Sequence, residues 1–522
     1  MTNKLYDTSL SLLTDLYQVT MAYGYWKAGM TDDRQPSSDS TRSGAAEKEA
    51  VFNLYFRKNP FSGGFTVSGG LTNVIGYINN FGFSRKDLRY LRSLTGSDGQ
   101  PLFEEGFLTY LANLKLSCDI DAIPEGTVVF PNEPLLRVRG PILQCQLLET
   151  PLLNLVNFES LITTKAARLR LVAGTDTLLE FGLRRAQGAD GGMTASRAAY
   201  IGGFDATSNV LAGKLYDIPV RGTHAHSWVM SFDTEQEAFD TYAEMMPNNV
   251  TLLVDTYDTL EGVKHAIQTG HKLRQKGYAL SGIRLDSGDL AYLSIEARKL
   301  LDAAGFTDTA IVASNDLDEI IINSLKQQGA KITVWGVGTK LVTAYDQPAL
   351  GGVYKLAAVR QANHADPDSD PAENHTAVRW DYKMKLSEQA IKISTPGIQQ
   401  VRRFRDERGF LADMIFDEER SADDLNEATT TMIDPLDFTK RRRFEADQPF
   451  EDLLVPVFRG GEQVYDCPDI HATRARVQEQ LAGLHPGVKR FVNPHTYPVG
   501  LEKSLHELKT ELILKLREGG RE

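Results

Sequence analysis

Cysteine is scarce: Cys118, Cys145 and Cys467 are the only three in 522 residues, they are far apart in sequence, and no C-x-x-C occurs. That spacing argues against a zinc site or a disulfide framework and predicts isolated, reduced thiols. No excess of positive charge exists either. Asp and Glu outnumber Lys and Arg by 69 to 57, leaving a formal charge of −12, which is unfavourable for binding nucleic acid or an anionic membrane. No apolar run approaches the ~20 residues that cross a bilayer, and residues 1–15 lack a basic start followed by an apolar stretch. A cytoplasmic location is therefore expected. With 42% hydrophobic and 24% charged residues, the composition is ordinary for a globular chain of two to four domains.

The polar stretches 31–50 and 361–374 read as flexible loops. They and the apolar density suggest residues 1–150 as an N-terminal part, 151–360 as the central domain and 361–522 as a C-terminal part. The latter ends in an expected helix, Leu501–Arg517, with leucines at helical spacing.

The central third repeats one pattern: a short apolar run, a polar or Gly-rich turn, then usually a helix. The runs are TLLEFG (177–182), IPVRGT (218–223), TLLVD (251–255), SGIRLD (281–286), TAIVASN (309–315) and KITVWG (331–336). Successive βα units of this kind predict a parallel sheet, closed or nearly closed as an α/β barrel; an open doubly wound sheet is the alternative. Asp316, with Glu319 three residues on, is expected to cap the helix after TAIVASN, placing Leu317, Ile320, Ile321 and Leu325 on its inner face. Glu180, Arg184, Arg185, Asp205, Thr223, His226, Asp255, Arg284, Asp286, Asn315 and Thr339 all fall at or just after the apolar runs. In a parallel barrel these ends share one rim, where the loops build the active site. Cations, carboxylates and Gly-rich turns together suit a phosphorylated anion held with Mg²⁺. Singly, each of these residues is equally at home as a cap or a turn former.

Nine segments in order carry a resemblance: SLLTDLYQVTMAYGYW (11–26), FRKNPF (56–61), EFGLRRAQGADGG (180–192), GGFDATSNVLAG (202–213), GTHAHSWVMSF (222–232), LLVDTYDT (252–259), GIRLDSGDL (282–290), ASNDLDE (313–319) and WGVGTKLVT (335–343), with NPHTYPVGLEKSLHELKTELI (493–513) in the tail. Together they resemble the nicotinate phosphoribosyltransferase family. The resemblance implies an irregular α/β barrel with a second α+β domain built from both chain ends, and a homodimer with shared active sites. It implies the first step of NAD salvage from nicotinate. Nicotinate and 5-phosphoribosyl 1-diphosphate give nicotinate mononucleotide and diphosphate, coupled to ATP hydrolysis through a phosphohistidine.

Residue by residue, the resemblance implies His226 as the phosphorylated histidine, with Asp255 and Asp286 as catalytic acids and Mg²⁺ partners. Nicotinate would meet Tyr17, from the other subunit, and Phe181, with Thr223, Arg284 and Asp205 around it. Arg184, Asn315, Gly336, Gly338 and Thr339 would bind the phosphoribosyl diphosphate. His224, two residues before His226, competes for the phosphohistidine role. Alternative functions are a nicotinamide phosphoribosyltransferase, a non-catalytic nucleotide sensor on the same fold, or an unrelated barrel aldolase using Lys340.

Overall fold

The computed structural model describes residues 9–29, 48–361, 379–421, 425 and 429–518. The chain divides into two compact units: residues 161–349 with 470–478, and residues 1–160 with 350–469 and 479–522.

The first unit holds six parallel strands: β1 (Thr177–Glu180), β2 (Ala206–Thr207), β3 (Val250–Leu253), β4 (Leu280–Leu285), β5 (Ala310–Ala313) and β6 (Val334–Val337). Their spatial order is β2-β1-β6-β5-β4-β3, and every pairing is parallel. Among the described residues β2 and β3 do not pair with each other, so the sheet forms a half-barrel. Its strands are short apolar runs buried by helices, as parallel sheets require. The helix Thr259–Gln275 is typical. Asp258 caps it by accepting the Glu261 N–H, and Val263, Ala266 and Leu273 are buried. Burying one such large aliphatic side chain contributes roughly 1.5–3 kcal/mol.

Three local expectations are corrected. IPVRGT forms no strand: Val220 makes only an isolated bridge to Thr207, and the sixth strand is instead Ala206–Thr207. Pro219 has no N–H for a ladder. The helix after β5 is capped by Asp318 rather than Asp316, and runs Glu319–Gln327. Its inner face is Ile322 and Leu325, while Ile320 is exposed. Here the inward position of the first turn goes to Glu319, which pairs with buried Lys165 and Arg168 at 2.7 and 2.8 Å.

The second unit interleaves both chain ends. A seven-stranded sheet joins Lys48–Phe56, Asp119–Ala122 and Leu136–Pro141 to Gly352–Gln361, Asp381–Tyr382, Val455–Arg459 and Glu462–Gln463. The helix Leu16–Lys27 buries Val19 and Ala22 in a cluster with Leu91, Phe107, Leu111 and Leu143. A six-stranded sheet from residues 399–502 is pinned by Arg403 and Asp413, both fully buried and paired at 2.5 Å. The tail helix spans Lys503–Glu518; Leu501 belongs to the preceding strand Val499–Glu502.

The expected loops 31–50 and 361–374 lie outside the described residues except at their edges: residues 48–50 open a strand and Gln361 closes one. Two of the thiols are neighbours rather than isolated: Cys118 and Cys145, both buried, place their sulfurs 3.8 Å apart. Among the described residues no helix is long and apolar enough to cross a membrane.

Candidate active site

The carboxyl ends of β3, β4 and β5 bring five expected site residues together, Thr223, His226, Asp255, Arg284 and Asp286, with Phe181 against the arginine. Arg284 lies near the end of β4, and its guanidinium is held on three sides. Nε donates to Ser314 Oγ at 2.8 Å, Nη1 to Thr223 Oγ1 at 2.9 Å and Nη2 to Asp286 Oδ1 at 3.2 Å. The Ser314 hydroxyl in turn donates to Asp286 Oδ1. One hydroxyl therefore ties the arginine to the carboxylate. The Phe181 ring lies with its centroid 5.5 Å from the guanidinium carbon, a cation–π distance.

Asp255 follows β3 and is 9% exposed. Its Oδ2 accepts the Asp286 N–H at 2.8 Å and the Ser287 hydroxyl at 2.7 Å. Its buried Oδ1 has no hydrogen-bond partner among the described residues. A buried carboxylate oxygen left without a donor is costly unless a ligand satisfies it.

His226 opens the short helix His226–Met230. Its Nδ1 lies 3.1 Å from Thr256 Oγ1 and its Nε2 3.8 Å from Asp286 Oδ2, with 40% of the side chain exposed. His224 is different. Its Nε2 accepts the Leu253 N–H at 3.2 Å and its Nδ1 donates to the Ala225 carbonyl at 3.4 Å. Burial lowers its pKa to about 4, so it stays neutral.

Phe181 and Gly182 leave β1 for the turn Leu183–Arg185, where Arg184 is exposed. The Phe181 ring crosses β6 at Gly336, where a Cβ would meet the ring at 2.6 Å. Gly338 precedes the short helix Thr339–Val342. Asn315 is exposed beyond β5 with φ of +102°, a region few residues other than glycine enter.

Asp205 is not brought to this rim. Asp205 precedes β2, level with Leu178 near the start of β1, so it is not at a strand's carboxyl end. Its carboxylate lies between Arg170 and Arg474, at 2.6 and 2.8 Å, and accepts the Leu178 N–H. Tyr17 lies in the helix Leu16–Lys27 of the other unit, 49% exposed. Lys340 donates to Asp318 at 2.5 Å, which raises its pKa; a Schiff-base lysine needs the opposite shift.

Ser314, Ser287 and Thr256 were not singled out from sequence. Their one signal was adjacency: each stands next to a rim residue, as in LDSGD and VDTYD.

The chain matches the models of the nicotinate phosphoribosyltransferase N-terminal domain over residues 12–157, the nicotinate phosphoribosyltransferase family over 177–373, and the C-terminal domain over 398–509. It is 42% identical to nicotinate phosphoribosyltransferase of Bacillus subtilis (strain 168), covering 98% of each chain. It is 36% identical to that of Homo sapiens, covering 96% of each. The crystal structure of human nicotinic acid phosphoribosyltransferase superposes with a TM-score of 0.77 at 32% identity, over 96% of this chain and 99% of that one. On matches that run nearly end to end in both sequence and fold, the chain belongs to the nicotinate phosphoribosyltransferase family.

Proposed function

We propose that the rim around Arg284 is where this phosphoribosyltransferase joins nicotinate to 5-phosphoribosyl 1-diphosphate, releasing nicotinate mononucleotide and diphosphate. The observation that carries the reading is the hydrogen-bond inventory of Arg284. A guanidinium has five N–H donors, and Ser314, Thr223 and Asp286 take three. Among the described residues, one N–H on each terminal nitrogen is left without an acceptor. Such a pair is a fork for a planar carboxylate. The amide of nicotinamide would turn an NH₂ donor toward one prong, so the fork favours nicotinate.

In this reading Phe181 supplies one face for the pyridine ring, and Tyr17 of a second subunit in a homodimer supplies the other. Thr223 holds the fork in place. Arg184, Asn315, Gly336, Gly338 and Thr339 receive the phosphoribosyl diphosphate. Asp205 is engaged by two arginines and is left out of the nicotinate pocket.

The residues present fit Mg²⁺. Asp255 offers a buried oxygen without a donor among the described residues, and Asp286 lies beside it. No group of three or more His, Cys, Asp or Glu among the described residues is arranged to hold a metal. Mg²⁺ at phosphate sites is held by one or two carboxylates with water and substrate oxygens. When bound there, Mg²⁺ neutralises charge on the diphosphate leaving group. The pyridine nitrogen carries no proton, so its attack on ribose C1 needs no general base. The protein's work is positioning and charge stabilisation. His226, 40% exposed, accepts the γ-phosphoryl group of ATP through a ring nitrogen as ADP leaves, and water then takes the phosphoryl group in the coupled hydrolysis.

The test is a product assay with Mg²⁺ and 5-phosphoribosyl 1-diphosphate, offering nicotinate and nicotinamide side by side. Nicotinate mononucleotide and diphosphate should form one to one from nicotinate. Faster turnover of nicotinamide contradicts the reading. No diphosphate release with all substrates present makes the protein a sensor.

A further inference from the structure

Glu180 ends β1 and is 1% exposed. Its carboxylate is satisfied by three donors from three places. The Gly182 N–H reaches Oε1, while the Ser196 hydroxyl at 2.9 Å and the Thr207 hydroxyl at 2.5 Å reach Oε2. Ser196 lies in the helix Gly188–Ile201 and Thr207 in β2. The chain therefore leaves Glu180, makes the turn that bears Phe181 and Arg184, and returns to the same carboxylate at Ser196. The Gly182 turn also packs without a gap. A Cβ on Gly182 would stand 3.0 Å from the Gly338 carbonyl and 2.3 Å from Val342 Cγ1. Gly336 leaves room for the Phe181 ring in the same way.

We propose that Glu180 is a positioning residue for both substrates. Its carboxylate staples the two ends of the 181–195 excursion to each other and, through the Thr207 hydroxyl, to β2, and thereby holds Phe181, Arg184 and the Gly338 turn in one arrangement. The staple touches no substrate. It acts because a loop misplaced by an ångström loses binding and orientation together. This rests on the reading of Phe181 as a face of the nicotinate pocket.

The experiment measures kcat, both KM values and the thermal midpoint for Glu180→Gln, Thr207→Val, Thr207→Ser and Phe181→Ala. Glu180→Gln turns an amide NH₂ against a donor and should raise KM for nicotinate and for 5-phosphoribosyl 1-diphosphate about tenfold. Thr207→Val, which keeps the side-chain shape and loses the hydroxyl, should raise both about threefold, with kcat within about twofold. Thr207→Ser restores the donor and should return both KM values to the wild-type range. If Glu180→Gln does not fold, the Val and Ser pair decides alone. A lowered thermal midpoint with unchanged KM values in Thr207→Val overturns the proposal, because the bond is then structural only. Phe181→Ala separates the two claims. A raised nicotinate KM there, with none in Thr207→Val, sinks the staple alone; an unchanged nicotinate KM in Phe181→Ala sinks the pocket reading and the staple with it.

Discussion

His224 and His226 stand two residues apart and face opposite surroundings. Both nitrogens of His224 are engaged by backbone groups, and the ring packs edge-on against Tyr242 at 4.8 Å. His226 is 40% exposed, beside Thr256 and Asp286. A nucleophile needs a free lone pair and room for the incoming phosphoryl group; the exposure of His226 offers that room, whereas both ring nitrogens of His224 are taken up. His226→Asn should therefore abolish labelling from γ-labelled ATP and abolish ATP stimulation, while leaving some ATP-independent synthesis. His224→Asn should retain the label. Label lost only at position 224 reverses the assignment, and label unaffected by either change removes the phosphohistidine.

The same burial makes His224 an acid-sensitive element. Its pKa in the folded protein is about 4, below the ordinary value near 6.5. As pH falls through 6.5, the unfolded chain takes up a proton that the folded chain refuses until about pH 4. Stability tied to this residue is thus present at neutral pH and lost on acidification, by about 2 kcal/mol between pH 7 and pH 5. Denaturant titrations at the two pH values should show a smaller acid loss for His224→Asn than for the parent chain. Equal losses would mean the ring is not held neutral.

Asp205→Asn separates a clamp from a pocket residue. The carboxylate bridges Arg170 and Arg474 and is 37% exposed, so its loss should cost about 1–2 kcal/mol after solvent screening. The thermal midpoint should fall with the nicotinate KM unchanged. A raised KM at an unaltered midpoint would return Asp205 to the nicotinate pocket.

For Tyr17, complementation is the informative measurement. Mixed chains carrying Tyr17→Ala and Arg284→Ala, each inactive alone, should regain part of the activity when they exchange subunits, since one site of the mixed dimer is intact. Verified heterodimers that stay inactive would deny that Tyr17 acts across a subunit boundary.

Much of this was legible in the sequence because the parallel barrel writes itself twice: as short apolar runs, and as the polar residue that ends each run. Asp255, Arg284 and Asp286 were found by that second signal, and Thr223 was found with them although its run, IPVRGT, forms no strand. The same signal misplaced Asp205, which precedes a strand of only two residues, Ala206–Thr207, too short for any periodicity. Asp316 and Asp318 both satisfy the composition of a helix cap. Buried Leu317, at 1% exposure, belongs to the tertiary packing, and the cap falls after it. Ser314 was invisible for a related reason: a serine after a strand reads as a turn former, and only the fold sets its hydroxyl between Arg284 and Asp286.

The most direct test of the account is the nicotinate KM of Arg284→Lys. Lysine keeps the charge and loses the two-pronged geometry that Ser314, Thr223 and Asp286 set up. Charge-assisted hydrogen bonds contribute roughly 1.5–3 kcal/mol each, so the account predicts a KM raised about tenfold or more. An unchanged nicotinate KM would contradict it, and would place the carboxylate of the substrate somewhere other than the Arg284 fork.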